Sequence, residues 1–372
     1  NNNSSRFGKW TALYFNQGGG IRGATITNYL LEKSRVSWQA EGERNYHLFY
    51  QIAPGCSKDL SLGAMLKIAG AEGHRYTSGG GRTTTVKGMD DLLEFQATRS
   101  ALNALEVAGN DQDSMMKLVA AILHLGDVVF AGDEDSGAEV DAKSRDILAL
   151  VCDLTGIPLP QLITALTCKD MGGGHEKVNV PLRPPEAGNA RDALARSLYS
   201  GLFDWAITRI NAALSKGADD GCLIVGVLDV FSFEFFQTNS LEQLCINFCN
   251  EKLQFYFNEH IFSLELAEYK CEGVDVGLVS YNTNEPTLKL LAGPGSIFRM
   301  LDDQAKVKAG DDSNLLSNII KGHQAHPNFA KPGAKDLDSH LCFIIKHFAG
   351  RTGTGSWRGC RRPWRSPRTL SS

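Results

Sequence analysis

The sequence has no long hydrophobic run, no paired-cysteine motif and no strong net charge, and each absence argues against a class of protein. The longest apolar run, residues 222–236, is interrupted by Asp229 and Glu234 and is too short to span a bilayer. The nine cysteines include no C-x-x-C pair, which argues against a zinc site or a disulfide framework and favours a reduced, cytoplasmic setting. A formal charge of −4 argues against general nucleic-acid binding. No signal peptide is visible.

Hydrophobic periodicity in the first quarter of the chain predicts a hairpin followed by irregular structure. Residues 10–15 and 21–31 read as two strands joined by a glycine-rich turn. A helical pattern begins in residues 44–53 and should end at Pro54, since proline disrupts a helix interior. Residues 63–88 are glycine-rich and weakly periodic, so we expect a long surface excursion.

The rest of the chain predicts long helices around a single buried strand. Residues 90–167 and 187–213 carry apolar side chains at helical spacing, and the aliphatic run 223–228 is typical of a strand buried on both faces. Asn239 and Glu242 fit a capping box, which predicts a helix that extends roughly 46 Å over about 30 residues. An ordinary long core helix is the alternative to a signal-transmitting one. The fold class is α/β, mostly helical around part of a central sheet.

Two short segments carry the groups that a nucleotide site requires. The chain starts with NNNSSRFGK, in which amide, hydroxyl and guanidinium groups suited to a triphosphate and its Mg²⁺ lie within six residues. The later segment DVFSFE places Asp229 at the end of the predicted strand and Glu234 five residues further on. An Asn-Ser-Ser cluster alone is more often a helix cap or a turn. The matching pair of carboxylates favours the nucleotide interpretation.

These two segments and several further blocks, found in order along residues 1–350, resemble a myosin motor domain. A kinesin also has an Asn-x-x-Ser-Ser-Arg switch, but Ser-His follows its arginine, whereas Phe7-Gly8-Lys9 follows here. The further blocks are YLLEKSRV (29–36), ERNYHLFY (43–50), AILHLG (121–126), ARDALAR (190–196), LEQLCINF (241–248), NEKLQ (250–254) and FIIKHFAG (343–350). The resemblance implies a P-loop NTPase fold, ATP and Mg²⁺ as ligands, and a cytoskeletal location on actin filaments.

The first segment would be the first nucleotide-sensing switch of the family. By position, the resemblance implies that Asn1 contacts the nucleotide phosphates and that Ser4 closes over the γ-phosphate and the attacking water. It also implies that Ser5 ligates Mg²⁺ and that Arg6 belongs to the gate of the phosphate pocket.

The second segment would be the second switch. The resemblance implies a salt bridge between Glu234 and Arg6 that shuts the pocket, and Asp229 in the water shell of the metal. Ser232 stands where the family usually has a glycine that offers its N–H to the γ-phosphate, and serine restricts the backbone there. The candidate catalytic residues are Ser4, Arg6, Ser232 and Glu234, and we expect Ser232 to alter closure and hydrolysis more than binding.

Two surfaces would meet actin if the resemblance holds. Glu176 precedes Asp192 by 16 residues, where the family tends to place an acidic or phosphorylatable residue in an actin-contacting loop. An ordinary surface glutamate is the alternative. Residues 296–329 align with an actin-binding helix-loop-helix, and their apolar residues could face actin or form a packed inner face. These residues are Ile297, Phe298, Met300, Leu301, Leu315, Leu316, Ile319 and Ile320.

The resemblance divides the chain into three parts. Residues 1–218 would hold the first switch and the upper 50 kDa actin-cleft subdomain, and residues 219–350 a sheet strand, the second switch, the relay helix and the lower 50 kDa subdomain. Residues 351–372, with six arginines and no acid, depart from the family pattern and are predicted to be a disordered basic tail. They could be a gene-model artefact or a segment for acidic lipid or actin. His323 and His326 read as a loop because no third metal ligand is apparent.

Several family parts are expected outside these residues. The glycine-rich phosphate loop would lie upstream of Asn1, and residues 79–83 lack its lysine, so we expect no catalytic competence from the fragment alone. Light chains or calmodulin would bind only a neck that is absent here. The parent would couple MgATP hydrolysis to movement on actin; the alternatives are a non-enzymatic actin-binding relic and a different P-loop NTPase. Myosin class, direction and cargo are not readable.

Overall fold

The computed structural model describes residues 5–40, 42–78, 84–133, 137–170, 179–218, 221–236, 239–275, 283–306, 312–332 and 342–355. The chain divides into two compact units. The larger unit is Arg6–Asp229, and the smaller unit is Val230–Ser372 together with Asn1–Ser5. The division falls at Asp229, because the strand that ends there is hydrogen-bonded into the larger unit. The subdomain boundary expected at residue 218 stays a prediction.

The larger unit is mostly helical, with short antiparallel strands. Its elements are β1 (Gly8–Phe15), β2 (Ile21–Tyr29), α1 (Leu48–Lys58), α2 (Leu60–Leu66), α3 (Arg75–Ser78), α4 (Asp91–Ala104), α5 (Gly109–Gly126), β3 (Phe130–Asp133), β4 (Gly137–Val140), α6 (Arg145–Thr155), α7 (Leu159–Thr167), β5 (Cys168–Asp170), β6 (Asn179–Pro181), α8 (Pro184–Leu214) and β7 (Leu223–Asp229). Strands pair in the order β2-β1-β7, and β3-β4 and β5-β6 form two-stranded ladders.

The predicted hairpin is confirmed. β1 and β2 pair antiparallel from Gly8 opposite Tyr29 to Phe15 opposite Ile21, with an irregularity between Tyr14 and Phe15. The Asn16 side chain accepts hydrogen bonds from the N–H groups of Gly18 and Gly20 at 3.1 and 2.8 Å, which closes the turn. The hairpin thereby fixes β1, the strand that follows Arg6.

β7 is the expected strand, but it is not buried on both faces. It pairs antiparallel with β1 and forms the edge of the three-stranded sheet, and all seven of its residues are exposed. An aliphatic run predicts strand formation through β-branched side chains and cannot show which elements cover it. Gly226 has a local role, since a Cβ there would lie 1.9 Å from Cη2 of Trp10 on β1. The glycine lets the indole lie across the strand.

The core of the larger unit forms around α5, whose residues from Met115 to Gly126 are mostly buried. α1 packs against it and continues through Pro54 to Lys58, so the predicted end of that helix was wrong. Burial of Phe49, Ile52 and Cys56 on both sides of the proline explains the continuation, because tertiary packing can offset the hydrogen bond that proline removes.

The expected surface excursion at residues 63–88 is also partly wrong. It contains part of α2, a 3₁₀ turn at 71–73 and α3, and Tyr76 is fully buried. The Tyr76 hydroxyl donates to Asp192 Oδ1 at 2.7 Å, and Asn45 Nδ2 donates to the Tyr76 carbonyl at 2.9 Å. A few long-range contacts therefore anchor a segment whose composition suggested a loop.

The smaller unit combines one long helix with shorter elements. These are α9 (Leu241–Cys271), α10 (Glu285–Ala292), α11 (Ile297–Lys306), α12 (Asp312–His323), β8 (Phe329–Ala330), β9 (Cys342–His347) and β10 (Gly350–Gly355), with strand order β10-β9-β8. The first turns of α9 pack with α10, α11, α12 and β9 around a shared apolar core. Its fully buried members include Leu291, Ile297, Phe343 and Ile345.

The 31-residue helix α9 is confirmed, but its cap is one residue later than predicted. Ser240 is the N-cap, and its capping partner is Gln243, whose Oε1 accepts from the Ser240 N–H at 2.9 Å. Asn239 instead bonds the backbone of Phe236 in both directions, through Oδ1 and Nδ2. Both neighbouring pairs satisfy the capping pattern, so the sequence could not choose between them.

The segment predicted as an irregular tail begins in regular structure. Its residues 351–355 belong to β10, which pairs antiparallel with β9 from Gly350 opposite His347 to Gly355 opposite Cys342. Backbone pairing with an existing strand does not need the apolar pattern that is missing there.

Within the described ranges, no single helix has both the length and the apolar composition to cross a membrane. Residues 142–155 and 159–167 meet those criteria only as a pair bent by 117°.

Candidate functional site

The predicted nucleotide residues fall in both units, and some lie outside the described residues. Asn1 and Ser4 of the first segment are among the latter, as is Glu176. Ser5 is exposed, so its hydroxyl is accessible. The geometry can therefore be built from Arg6, Asp229, Ser232 and Glu234.

Arg6 is held by a network of charges within the larger unit. Its Nε donates to Glu32 Oε2 at 2.6 Å, and Arg35 Nε donates to the same oxygen at 2.7 Å. The Glu32 N–H also donates to the Arg6 carbonyl at 2.9 Å. The side chains of Arg6 and Glu32 are 10% and 11% exposed, so the pair is largely shielded from solvent. This network fixes the direction in which the guanidinium of Arg6 leaves the backbone.

The network continues from Glu32 into the core. Arg35 forms a second ion pair with Glu43, at 2.6 Å, and the Tyr46 hydroxyl donates to the Glu32 carbonyl at 2.9 Å. The two carboxylates raise the pKa of Arg35, although burial opposes them as the largest single influence. Burial raises the pKa of Tyr46, with the charge of Glu32 acting in the same direction. Arg35 therefore stays charged and Tyr46 stays a donor.

Asp229 is positioned by the sheet. It lies opposite Lys9 in the β1–β7 ladder, and its Oδ2 is 3.3 Å from Lys9 Nζ. The Asp229 side chain is 59% exposed. A carboxylate at a strand end with this exposure is accessible to a ligand or a hydrated cation.

Glu234 is held by α9. Its N–H donates to Asn247 Oδ1 and its carbonyl accepts from Asn247 Nδ2, both at 2.8 Å. Gln243 Nε2 donates to Glu234 Oε2 at 3.3 Å. Glu234 is 9% exposed and Asn247 is 1% exposed. A single asparagine thus joins the backbone of the second segment to the second turn of the long helix.

A second connection runs through Phe233. Its ring packs edge-on against His347, with 5.1 Å between ring centroids, and the His347 Nδ1 is 2.9 Å from Glu251 Oε1. Glu251 is fully buried in the third turn of α9, and the same oxygen accepts from the Phe348 N–H at 3.0 Å. Asn284 Nδ2 donates to its other oxygen. The second segment is therefore connected to α9 at two positions, at Asn247 directly and at Glu251 through His347.

Ser232 is exposed between these connections. Among the described residues, the non-glycine residues with positive φ are Leu30, Lys67 and Glu106, so Ser232 has a conformation open to any L-residue. The serine is not strained in this conformation. Any effect of the missing glycine must arise in a different conformation of the segment.

Comparison with known proteins gives these segments a family. Residues 1–354 match the family model described as myosin head (motor domain). The chain belongs to the myosin head family. The match includes residues 351–354, which the sequence analysis had placed in the off-pattern tail.

Individual myosins agree with this assignment. The myosin-I heavy chain of Dictyostelium discoideum is 38% identical over 353 residues, which cover 94% of this chain and 15% of that protein. Human unconventional myosin-Vc is 39% identical over 354 residues, covering 94% and 20%. Rat unconventional myosin-Va is 37% identical over 351 residues, covering 94% and 19%. The chain thus spans no more than a fifth of the length of these relatives.

Within this myosin head chain, the residues proposed to contact actin lie inside the smaller unit. Ile297, Leu315, Leu316 and Ile319 are buried in its core, and Phe298, Met300, Leu301 and Ile320 pack against that core. A partner could not reach the first four without repacking the unit. The exposed residues of α11 and α12 are polar and include Arg299, Asp302, Asn318 and Lys321.

Sequence reasoning missed the residues that hold the switch residues in place. Glu32, Asn247, Glu251 and His347 all stand in blocks that carry the family resemblance, yet none received a role. Apart from Arg35, three residues after Glu32, the hydrogen-bond partners described for them are 13 to 97 residues away in sequence, so a local pattern does not identify them. The predicted Arg6–Glu234 ion pair joins residues of the two units and stays a prediction.

Proposed function

We propose that the chain forms part of a motor head that binds MgATP, hydrolyses it and couples the reaction to movement on actin filaments. The observation that supports this most directly is the attachment of Glu234 to α9 through Asn247. A residue whose carboxylate senses a phosphate, and whose backbone is bonded to a helix of roughly 46 Å, can transmit a small displacement over that distance. A P-loop NTPase fold is part of this proposal.

In this proposal, the first segment surrounds the phosphates. Asn1 contacts them, Ser4 closes over the γ-phosphate and attacking water, and Ser5 binds the metal. Ser232 offers its N–H to the γ-phosphate from the second segment. Catalysis then comes from positioning and electrostatic stabilisation, with no covalent intermediate.

Arg6 and Glu234 would form the gate. A guanidinium has five N–H donors, so the Arg6 group that bonds Glu32 through Nε has the capacity to bond a second carboxylate. Glu32 would hold the arginine in one direction, and Gln243 would orient the Glu234 carboxylate. Both partners would then be pre-organised before nucleotide binds.

The oxygen ligands of this site fit Mg²⁺. The Asp229 carboxylate and the Ser5 hydroxyl are hard oxygen donors and both are exposed, which leaves room for the waters that Mg²⁺ retains. When bound, the ion would neutralise charge on the β- and γ-phosphates. The β1–β7 ladder keeps the Asp229 carboxylate at the strand end, and Lys9 lies beside it.

A non-enzymatic actin-binding relic is the second candidate, and Ser232 is the observation that favours it. Serine keeps the N–H but narrows the accessible backbone conformations, so a peptide rearrangement that glycine permits could be blocked. The remaining alternative, a P-loop NTPase of another family, disagrees with the family match.

The test uses the longest protein that the gene encodes. We expect actin-activated ATP hydrolysis and actin co-sedimentation that ATP reverses. Glu234→Gln should reduce turnover at least tenfold, whereas Glu259→Gln, an exposed change on α9, should leave it unaltered. Co-sedimentation that ATP does not reverse, without hydrolysis, would establish the relic instead.

Ser232→Gly in the same protein tests the role of the serine. If it limits closure, glycine should raise turnover several-fold with little change in nucleotide affinity. An unchanged rate would show that the serine does not restrict the reaction.

A further inference from the structure

Three potential metal ligands meet in the larger unit, and none of them is among the residues predicted to bind nucleotide or actin. His74 precedes α3, and His124 and Asp127 lie at the end of α5. One ligand atom from each lies within 4.8 Å of the others. His74 and His124 are 6% and 7% exposed, and Asp127 is more exposed. The cluster is thus shielded on the histidine side and open on the carboxylate side.

Hydrogen bonds orient each member of the cluster. His74 Nδ1 lies 2.6 Å from Asp127 Oδ2, and Asp127 Oδ1 accepts from the Arg75 N–H at 2.7 Å. His124 Nε2 lies 2.8 Å from the Leu66 carbonyl, an acceptor that requires the proton on Nε2. The neutral ring then has its lone pair on Nδ1. Histidines that bind metal are typically oriented in this way, by donating their other N–H to a carbonyl or carboxylate.

The elements that carry the cluster are held rigidly. A Cβ at Gly126 would lie 2.7 Å from Cδ2 of Tyr76, so the start of α3 approaches the end of α5 as closely as glycine allows. Tyr76 is fixed in turn by Asp192 and Asn45. A site on rigid elements loses little conformational entropy when a ligand binds.

We propose that His74, His124 and Asp127 bind a divalent transition metal of the zinc type, with water as the fourth ligand. Two imidazoles and one carboxylate are a known ligand set for Zn²⁺. The ion would take the place of the hydrogen between His74 Nδ1 and Asp127 Oδ2, and the neutral His74 ring would then carry its hydrogen on Nε2. Zn–ligand bonds of about 2.0–2.1 Å place tetrahedral ligands about 3.3 Å apart, which side-chain rotation can reach from the present separations.

Zn²⁺ titration of the complete chain, followed by calorimetry, tests the proposal. We expect one equivalent to bind with micromolar or tighter affinity and to raise the thermal unfolding midpoint, since a ligand specific to the folded state stabilises it. Replacing Zn²⁺ with Co²⁺ distinguishes metal binding at this site from metal binding by the free cysteines. Tetrahedral nitrogen and oxygen ligation should give visible d–d bands without a thiolate-to-metal charge-transfer band.

Two variants remove a ligand while keeping its hydrogen bond. His74→Asn places an amide N–H where Nδ1 donates to Asp127, and His124→Gln places one where Nε2 donates to Leu66. Each should weaken Zn²⁺ binding at least tenfold with a metal-free melting midpoint close to that of the wild type. His260→Gln, on the exposed face of α9, is the control and should bind like the wild type.

Absence of stoichiometric binding by the wild type would overturn the proposal, as would binding that neither variant weakens. A thiolate charge-transfer band in the Co²⁺ complex would also overturn it, because cysteines would then be the ligands.

Discussion

The two units hold their predicted switch residues by different interactions. In the larger unit, Arg6 is held by ionised side chains, Glu32 and through it Arg35. In the smaller unit, the backbone and carboxylate of Glu234 are held by the neutral amides of Asn247 and Gln243. The ion pair positions the Arg6 side chain through charge, which salt screens, whereas the two Asn247 hydrogen bonds position the backbone of Glu234 without any charge.

The difference indicates which of the two predicted switch segments is hydrogen-bonded to a long helix. Glu32 lies in the short segment after β2, so the Arg6–Glu32 pair lies beside the hairpin. Asn247 and Glu251 lie along α9, so the contacts of the second segment lead into a long rigid element. We therefore expect disruption in the smaller unit to have the larger effects on stability, and disruption in the larger unit to depend on salt.

The largest effect is expected from Glu251→Ala. The change leaves His347 Nδ1 and the Phe348 N–H without their fully buried acceptor, and Asn284 Nδ2 keeps only its bond to the Glu251 carbonyl, so the stability of the smaller unit should fall by about 3–5 kcal/mol. Amide hydrogen exchange in α9 and β9 measures this loss of stability. Glu259→Ala, on the exposed side of the same helix, should change exchange little. Equal effects of both would mean that the contacts around Glu251 do not stabilise the unit.

Asn247→Ala should have the next largest effect, because it removes the side chain that bonds both the N–H and the carbonyl of Glu234. Two buried backbone groups would lose their hydrogen bonds, at about 1–3 kcal/mol for each. Hydrogen exchange in the first turns of α9 should rise, with little dependence on salt. Asn250→Ala is the matched control, since the Asn250 side chain bonds only a carbonyl within its own helix at 3.0 Å among the contacts described.

The fold was most predictable where local chemistry decides it. The turn between β1 and β2 and the length of α9 follow from residues close in sequence. Pro54 and the segment around Tyr76 were misread because buried contacts override local preference there. The exposure of β7 depends on which elements cover the sheet. The composition of the strand does not show which elements these are.

The candidate site was predictable in its chemistry and not in its supports. Arg6 and Glu234 stand in motifs that can be read directly. Glu32 is 26 residues from Arg6, and His347 is 96 residues from Glu251, so only the folded chain identifies these partners.

Glu32→Gln should have an intermediate effect in the larger unit. It removes the charge that Arg6 and Arg35 share, while Glu43 still pairs with Arg35, so we expect a loss of about 1–2 kcal/mol. Urea unfolding followed by tryptophan fluorescence measures the loss, since Trp10, Trp38 and Trp205 lie in this unit.

Salt distinguishes the two units in this experiment. The difference in unfolding free energy between wild type and Glu32→Gln should shrink at high ionic strength. The corresponding difference for Asn247→Ala should not change with salt. A salt-independent loss for Glu32→Gln would contradict the distinction between charge-held and amide-held switches.

Lys9→Met should have the smallest effect. Lys9 and Asp229 are 41% and 59% exposed and 3.3 Å apart, and exposed pairs contribute about 0–1 kcal/mol, so unfolding should change by less than about 0.5 kcal/mol. If Asp229 serves Mg²⁺, removing Lys9 should instead alter the magnesium dependence of nucleotide binding, because the carboxylate loses a competing cation. Lys216→Met, which breaks another exposed ion pair, with Glu106, is the control. It should alter neither the unfolding free energy nor the magnesium dependence of nucleotide binding. A stability loss of several kcal/mol would show that the ion pair, and not the strand pairing, holds Asp229 in place. Asp229 would then resemble Arg6, which is held by its ion pair with Glu32.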